Sequence, residues 1–425
     1  MNDLKRLVKP VKGGALLITI VIAIIVGILS SAVILVAYYN RLQHQRERIL
    51  TRLDNNVKSG INILLSDSSF LYKSYERTID LFNHQDDSVK IVSGNWGVYK
   101  IGLINSFYGR EARDRIFLFG EILPDSLQSA IYLTDHERPL GVVGQTSISG
   151  NAYLPKAGVQ ITQIDQRVFK GESPVLGEIL ESGKSLPALE QTTLNYLKGL
   201  TEYRSLISSK SDELESSDTL SRSFKESTEI IYHRGKLMLQ NRQVRGNFVI
   251  KSDSCIDIRS GCVLENIIMS APVIRISSGF EGSVQIIATD SVVVEQDCHL
   301  RYPSSIVLLK QDSKHFQPVL SIENGSNVEG VIMCIANQDD ETKIKVNLSE
   351  KSRFTGLLYV SGFLSLKGKV MGAVATDYFL YNVGSNIYQN YLVDAEVDRL
   401  SLPKSFVGPA TFKDITKRMV VAWLK

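Results

Sequence analysis

Two groups of side chains in this sequence have the composition of a catalytic centre. Cys298 and His299 combine a nucleophile with a base, and the run Asp339-Asp340-Glu341 supplies carboxylates of the kind that glycoside hydrolysis needs. Adjacent residues of a strand point to opposite faces, so Cys298 and His299 do not form a ready pair. The acidic run lies between Asn337 and Thr342, which favours a polar loop. We therefore predict no catalytic residues.

Metal and cofactor sites are equally poorly supported. Asp290, Glu295 and Asp297 are close in sequence and offer oxygen ligands for Ca²⁺, but their positions at turns favour ordinary turn polarity. The sequence contains no His/Cys cluster with zinc spacing, no phosphate-binding loop and no dinucleotide fingerprint. We predict no metal and no cofactor.

The chain has four cysteines, too few for a disulfide framework in 425 residues. If Cys262 and Cys298 lie two turns apart in a stacked sheet, about 9.6 Å separates them, which is beyond the roughly 7 Å limit for a disulfide. They should be free, buried thiols. Cys255 and Cys262 would pair only across one turn, an alternative that the spacing leaves open.

Composition excludes some partners. The apolar fraction is 44% and the net charge is only +3, with charges of both signs interspersed along the chain. Neither a nucleic-acid partner nor a trap for acidic substrates is indicated. The length suits two or three packing units.

The dominant element is the uncharged run from Ala15 to Ala37. Its twenty-three residues span about 35 Å as a helix, enough to cross a hydrocarbon core of about 30 Å. A cleaved signal peptide is the alternative, but Tyr38, Tyr39 and Arg41 follow as an interfacial anchor instead of a small-residue cleavage site. We predict a transmembrane helix over residues 15–39, in contact with the lipid bilayer.

Apolar residues continue past this span at helical spacing, at Leu50, Leu53, Val57, Ile61 and Leu64. They predict an amphipathic helical stalk over residues 40–66. If the two helices are continuous, they form one rod of about 75 Å, half in lipid and half against a soluble domain. A signal-anchor with a short coiled stalk is the alternative.

The stretch Lys12-Gly13-Gly14-Ala15-Leu16-Leu17-Ile18-Thr19 resembles the N-terminus of type IV pilin-like proteins, especially the minor pseudopilins of the K type. The resemblance implies cleavage by a prepilin peptidase after Gly13 or Gly14, and a retained helix that packs with others in a filament. Most of that family carries Glu at the fifth mature position, where this chain has Ile18 or Thr19.

Within the apolar run, Gly27, Ser30 and Ser31 are small residues that would let a neighbouring helix approach closely. Four Lys/Arg precede the run and four follow it within fifteen residues, so charge does not decide the orientation. We expect residues 1–14 to be a cytoplasmic basic leader. The protein would then be a single-pass protein of the bacterial inner membrane with its C-terminal region in the periplasm.

Beyond the stalk the pattern is that of β-strands. Short alternating runs separated by Gly predict a β-rich block over residues 88–183. Residues 255–272, 273–290 and 291–308 then align without gaps at a period of 18, with registered apolar columns: Ile256, Ile274 and Val292, then Ile258, Ile276 and Val294.

This repeat predicts a parallel β-solenoid, or right-handed β-helix, over residues 244–390. Evenly spaced hairpins of an antiparallel sandwich are the alternative. In pattern the repeat resembles the polymer-forming β-helix of bactofilin-type domains. Sharp corners in such a structure require Gly, as in Phe354-Thr355-Gly356 and Val370-Met371-Gly372.

Two further segments complete the predicted fold, which is mainly β. Residues 184–243 are Ser-rich and predict a helical or partly disordered insertion. The tail 391–425 carries Phe412, Ile415, Met419 and Trp423 at helical spacing, which predicts a helix that caps the open end of the solenoid.

These features favour a non-enzymatic structural protein of the bacterial envelope, a minor pilin or pseudopilin-like component of a type IV filament or type II secretion-like assembly. Its partners would be other membrane helices or filament subunits. One alternative is a membrane-tethered scaffold whose solenoid binds cell-wall polymer, polysaccharide or an envelope protein. The other is a carbohydrate-active β-helix enzyme, which would need clustered carboxylates on one outer face.

Overall fold

A computed structural model describes residues 14–66, 75–81, 88–164, 166–202, 217–311, 316–337, 340, 342–413 and 417–424. Over these residues the chain is mainly β. One long N-terminal helix packs on an antiparallel sheet, and that sheet packs on a larger stack of parallel strands.

The N-terminal helix, α1, is continuous from Gly14 to Ser66. It joins the predicted membrane span to the predicted stalk without a break, because the only interior glycines, Gly27 and Gly60, do not interrupt helical geometry. The predicted rod is therefore confirmed as a single helix.

The antiparallel sheet has five strands in the order β1-β2-β3-β4-β31, so the last strand of the chain lies beside the fourth. Hairpin turns join β2 to β3 and β3 to β4, which makes these pairings local in sequence. The strands are β1 Tyr75–Ile79, β2 Ser88–Trp96, β3 Tyr99–Tyr108, β4 Glu111–Glu121 and β31 Arg418–Leu424.

The remaining strands build what we call the parallel stack, together with a few short antiparallel hairpins. Its N-terminal contributors are β5 Ile131–Leu133, β6 Leu140–Val143, β7 Ser147–Ser149, β8 Ala152–Leu154, β9 Val159–Ile161, β10 Gln163–Ile164, β11 Arg167–Val168, β12 Val175–Leu176 and β13 Ile179–Glu181. The later strands are β14 Thr219–Arg222, β15 Glu229–His233, β16 Lys236–Leu239, β17 Gln243–Gly246, β18 Phe248–Ser252, β19 Cys255–Ile258, β20 Val263–Ile276, β21 Glu281–Val294, β22 His299–Leu309, β23 Val319–Ile322, β24 Asn327–Ile335, β25 Ile344–Leu348, β26 Arg353–Leu366, β27 Lys369–Val383, β28 Asn386–Gln389, β29 Tyr391–Val393 and β30 Glu396–Asp398.

The stack has three columns of parallel strands around one apolar core, and we call one set of three neighbouring strand segments a tier. The first column begins with β14 and β17, the second with β15 and β18, and the third with β16 and β19. Ile256 pairs with Ile274, and Ile274 with Val292, at the predicted spacing of 18 residues, so the predicted columns are confirmed there. The spacing then changes, because a longer connection lies between β22 and β23 and Val292 pairs with Leu320. Inward residues of all three columns form one continuous buried cluster.

One tier is built from both ends of the chain. In the first column, β30 lies between β27 and β7 and pairs with both. In the second column, β5 lies between β27 and β8 and pairs with both. The N-terminal strands β5–β13 therefore extend the far end of a stack that begins at β14. The block predicted over residues 88–183 thus contributes to both sheets.

The Ser-rich segment contains a helix, α2 Gln191–Leu200, and then strands β14 to β16, which form the first tier. Residues 203–216, which hold much of the serine, lie outside the described residues. The segment runs along the outside of the second column, where Tyr132, Ser270 and Tyr359 donate hydrogen bonds to its carbonyls.

The predicted C-terminal capping helix is wrong. Residues 418–424 form β31, paired antiparallel with β4, and Phe412 makes a bridge with Leu189. Helical spacing of apolar residues also occurs in this strand, and pairing with a sheet edge distant in sequence determines its structure. Ile415 lies outside the described residues.

Candidate functional site

The most distinctive surface of the molecule is the first half of α1. Its large apolar side chains are exposed along the whole run, including Leu16, Ile25 and Leu35 at 70, 50 and 55%. Among the described residues, α1 is the one helix long and apolar enough to cross a membrane, and none of its most apolar window is buried. An apolar surface of this length in water marks a membrane or protein contact.

The second half of α1 is packed on the antiparallel sheet. Val57 and Leu64 are buried in a cluster with Ile104 and Phe117 of the facing strands, and Leu53 is also fully buried. Gly60 lies at the closest approach, where a Cβ would be 2.7 Å from Ile104 Cγ2 and 2.9 Å from Val89 Cγ1. The helix is thereby fixed to the sheet over one half and free over the other.

Charged side chains mark the change from one half to the other. Tyr38, Tyr39 and Arg41 are exposed, with the two tyrosine rings edge to face at 5.9 Å. Arg46 Nε lies 2.8 Å from Glu111 Oε1 at the start of β4. The predicted interfacial anchor therefore directly precedes the point where the sheet begins to hold the helix.

The predicted packing residues lie on one exposed face of this helix. Ser31 Oγ donates to the carbonyl of Gly27 at 2.8 Å, which satisfies the hydroxyl within the helix. A Cβ on Gly27 would meet no atom within 4 Å, so the face is open to a second helix. Of the predicted cleavage residues, Gly14 is the exposed first residue of α1, and Gly13 lies outside the described residues.

The C-terminal end of α1 meets a buried charged cluster that the sequence patterns did not reveal. Arg418 Nη1 donates to the carbonyls of Leu64 and Leu65 at 3.4 and 3.5 Å, and a cation there also complements the helix dipole. Glu121 is buried near Arg418 and Lys100. Burial raises the pKa of the Glu121 carboxyl to about 7, against the lowering effects of Arg418, Lys100 and the Phe412 amide.

The same burial shifts the pKa of Lys100 in the opposite direction: it lowers the pKa of the ammonium group. The only sequence signal for this cluster is a charged residue at each of three positions within apolar strands. Alternation alone assigns such residues to solvent, and their burial depends on the distant pairing of β31 with β4.

The described members of the two candidate catalytic groups are not brought together. Cys298 is buried, and its Sγ lies 3.3 Å from the carbonyl of Ser277. His299 points outward, with Nε2 3.1 Å from Glu329 Oε1. Asp340 Oδ2 is paired with Lys310 Nζ at 3.2 Å; Asp339 and Glu341 lie outside the described residues.

The residues considered for Ca²⁺ make ordinary turn contacts. Asp290 Oδ1 accepts from Thr289 at 2.7 Å, and Glu295 Oε2 accepts from the Ser278 amide at 3.1 Å. In the part of the chain that the structure describes, no group of three or more His, Cys, Asp or Glu residues is arranged to hold a metal. Cys262 is a buried free thiol as predicted, and Cys255 is a half-buried one.

Over the residues that the structure describes, these features define a mainly β protein with one N-terminal helix capable of spanning a membrane. No protein-family model matches the chain, and no curated protein does. A solved structure that is similar to it is the competence-associated pilin ComZ from Thermus thermophilus, with 10% sequence identity over 83% of this chain and 87% of that chain. The TM-score of 0.24 is low, so the function has to be argued from the chain's own residues.

Proposed function

We propose that this chain is a membrane-anchored, non-enzymatic structural protein of the bacterial envelope, a minor pilin-like or pseudopilin-like subunit of a type IV filament or secretion assembly. The observation that carries the proposal is the division of α1 into an exposed apolar half and a half buried on the sheet. Because one continuous helix joins the two parts, it fixes the position of the soluble part relative to the membrane.

The exposed half suits two environments in turn. In a bilayer it buries its apolar surface in lipid; in an assembly it buries the same surface against sister helices, with Gly27, Ser30 and Ser31 at the contact. Its N-terminal residues resemble the processing site of type IV pilin-like proteins, which supports cleavage after Gly13 or Gly14. The leader would lie in the cytoplasm and the sheets outside the inner membrane.

For the parallel stack, we infer that successive tiers wind as a right-handed β-solenoid. Parallel pairing of each strand with a strand one tier further along supports winding. Crossover connections between parallel strands are right-handed in about 98% of cases, which supports the hand. Two of its outward carboxylates, Glu396 and Glu265, form ion pairs with Lys369 and Arg245, which favours a structural role for these side chains over glycoside hydrolysis.

Membrane anchoring is tested by Ile25→Asp, in the middle of the exposed half of α1. A carboxylate at the centre of a membrane helix costs about 2.5 kcal/mol or more on insertion scales. We expect a large part of the variant to move from the membrane pellet to the soluble fraction, or to be degraded. Ile387→Asp, at a residue 70% exposed on the parallel stack, is the matched control and should remain in the membrane. Equal fractionation of both variants with the unaltered chain would contradict the anchor.

Processing is tested by mass spectrometry of the N-terminus in cells with an active prepilin peptidase. We expect the mature chain to begin at Gly14 or Ala15, and the full leader to persist when the peptidase is absent. A chain that stays membrane-bound with Met1–Lys12 attached in both strains would exclude the pilin-like subunit. It would leave the tethered scaffold as the remaining membrane function.

A further inference from the structure

The two ends of the parallel stack are finished differently. At the first tier, register places Arg222 and Glu229 over the core, opposite Gly246 and the core residue Phe248. Arg222 Nη1 lies 2.8 Å from Glu229 Oε2, and Arg222 Nε donates to the Ser227 carbonyl at 2.7 Å. The ion pair of Arg222 and Glu229 therefore covers the apolar core at this end.

At the last tier the core is partly uncovered. Ile161 follows Val142 in the third column, and Ile179 follows Ala152 in the second, and both of these preceding residues are fully buried. Register thus assigns Ile161 and Ile179 to the core, yet they are 54 and 49% exposed. Phe169 packs against the core here but leaves both isoleucines accessible.

The backbone at this end is also unpaired on one side. Among the described residues, β12 pairs only with β7, β13 only with β8, and β9 only with β6, each through the edge that faces the stack. Open edges of parallel strands beside uncovered apolar side chains form a template for further strands.

We propose that this open end, defined by β9, β12 and β13, is a self-association surface where two copies of the chain meet about a two-fold axis. Head-to-tail stacking would place the open end on the Arg222–Glu229 pair, leaving charges buried against Ile161 and Ile179. End-to-end contact between identical open ends buries isoleucine on isoleucine instead. A two-fold rotation reverses strand direction, so the facing edges pair antiparallel and the assembly closes at two copies.

The charged residues around the open end are compatible with contact between two identical copies. Lys170 and Glu172 are exposed on the segment that carries Phe169, and Glu178 and Lys184 are exposed around β13. A surface with both signs can oppose unlike charges to itself after rotation, whereas a rim of one sign would repel its own copy.

The test is the mass of the full-length protein in detergent micelles, measured by analytical ultracentrifugation with the detergent contribution subtracted. We expect a dimer that Ile179→Asp weakens by about 100-fold or more in dissociation constant, because both copies then bring a carboxylate to the contact. Leu176→Asp, beside the same edge, should act in the same direction. Ile230→Asp is the matched control at the opposite end, where Ile230 is 45% exposed, and it should leave the dimer unchanged.

Three outcomes would overturn the proposal: a monomeric unaltered protein, assemblies larger than two that Ile179→Asp disperses directly to monomers, or a dimer that survives both Ile179→Asp and Leu176→Asp with native circular dichroism. A surviving dimer would indicate association through α1. That result would leave the proposed membrane function standing, whereas failure of α1 to insert would leave the dimer contact untouched.

Discussion

Replacement of Gly356 by alanine is expected to lower the free energy of unfolding by about 4 kcal/mol. Gly356 has a φ of +138°, and a Cβ there would lie 1.9 Å from the carbonyl oxygen of Gly330 in the preceding tier. The same contact repeats at Gly372, where a Cβ would be 2.0 Å from the Gly356 carbonyl oxygen. Backbone oxygens in a stack cannot move aside singly, so the added methyl group must displace a whole tier.

Two further alanine variants distinguish the effect of the clash with the neighbouring tier from the effect of replacing a glycine as such. At Gly279 the φ is +75° but no atom lies within 4 Å of a Cβ, so Gly279→Ala should cost only about 1 kcal/mol from backbone strain. Gly199 lies in α2 with open space around it, and alanine there should be neutral or slightly stabilising. Chemical denaturation of the three variants measures the difference. A Gly356→Ala protein no less stable than Gly279→Ala would refute the tier-contact argument.

The glycine positions and the apolar columns could be predicted because both follow from short-range repetition. Ile256, Ile274 and Val292 recur at a fixed spacing, since each must cover the core residue of the tier before it. The continuity of α1 was predictable for a similar reason. Its apolar periodicity runs without a proline or glycine cluster from the exposed half into the packed half.

The tier shared by β30 and β5 could not be predicted, because its strands are more than two hundred residues apart in sequence. Strand pairing at that separation leaves no periodic signal in either segment. The predicted C-terminal helix was wrong for the same reason, since the free edge of β4 decides the structure of residues 418–424. In both cases a strand completes a sheet begun at the other end of the chain.

The exposed apolar half of α1 was predicted from composition, whereas the contacts at the other end of the helix were not. Gly27, Ser30 and Ser31 were proposed as contact residues from size alone, because membrane-helix contacts favour small residues, and that role stays a prediction. The cluster of Arg418, Glu121 and Lys100 at the end of α1 depends on tertiary contacts, so neither its burial nor its pairing could be anticipated from alternation.

That cluster makes the stability of the protein dependent on pH. The pKa of Glu121 is raised to about 7 by burial, from an ordinary value of 4.5. Between these values the folded protein binds a proton that the unfolded chain has released. The free energy of unfolding therefore falls as the pH rises from 4.5 to 7, and the loss contributed by Glu121 approaches about 3 kcal/mol.

Glu121→Gln is expected to remove this contribution, because the amide resembles the protonated carboxyl and does not titrate. His136 and Asp377 also have shifted pKa values, lowered by burial in His136 and raised by burial in Asp377, so the informative quantity is the difference between the two proteins at each pH. Urea denaturation of both at several pH values from 5 to 8 measures it. We expect the stability of Glu121→Gln relative to the unaltered chain to rise with pH and to level off above 7. A difference that does not change with pH would mean that Arg418 and Lys100 keep Glu121 ionised in the folded protein, and that the end of α1 is held by a charged cluster throughout this range.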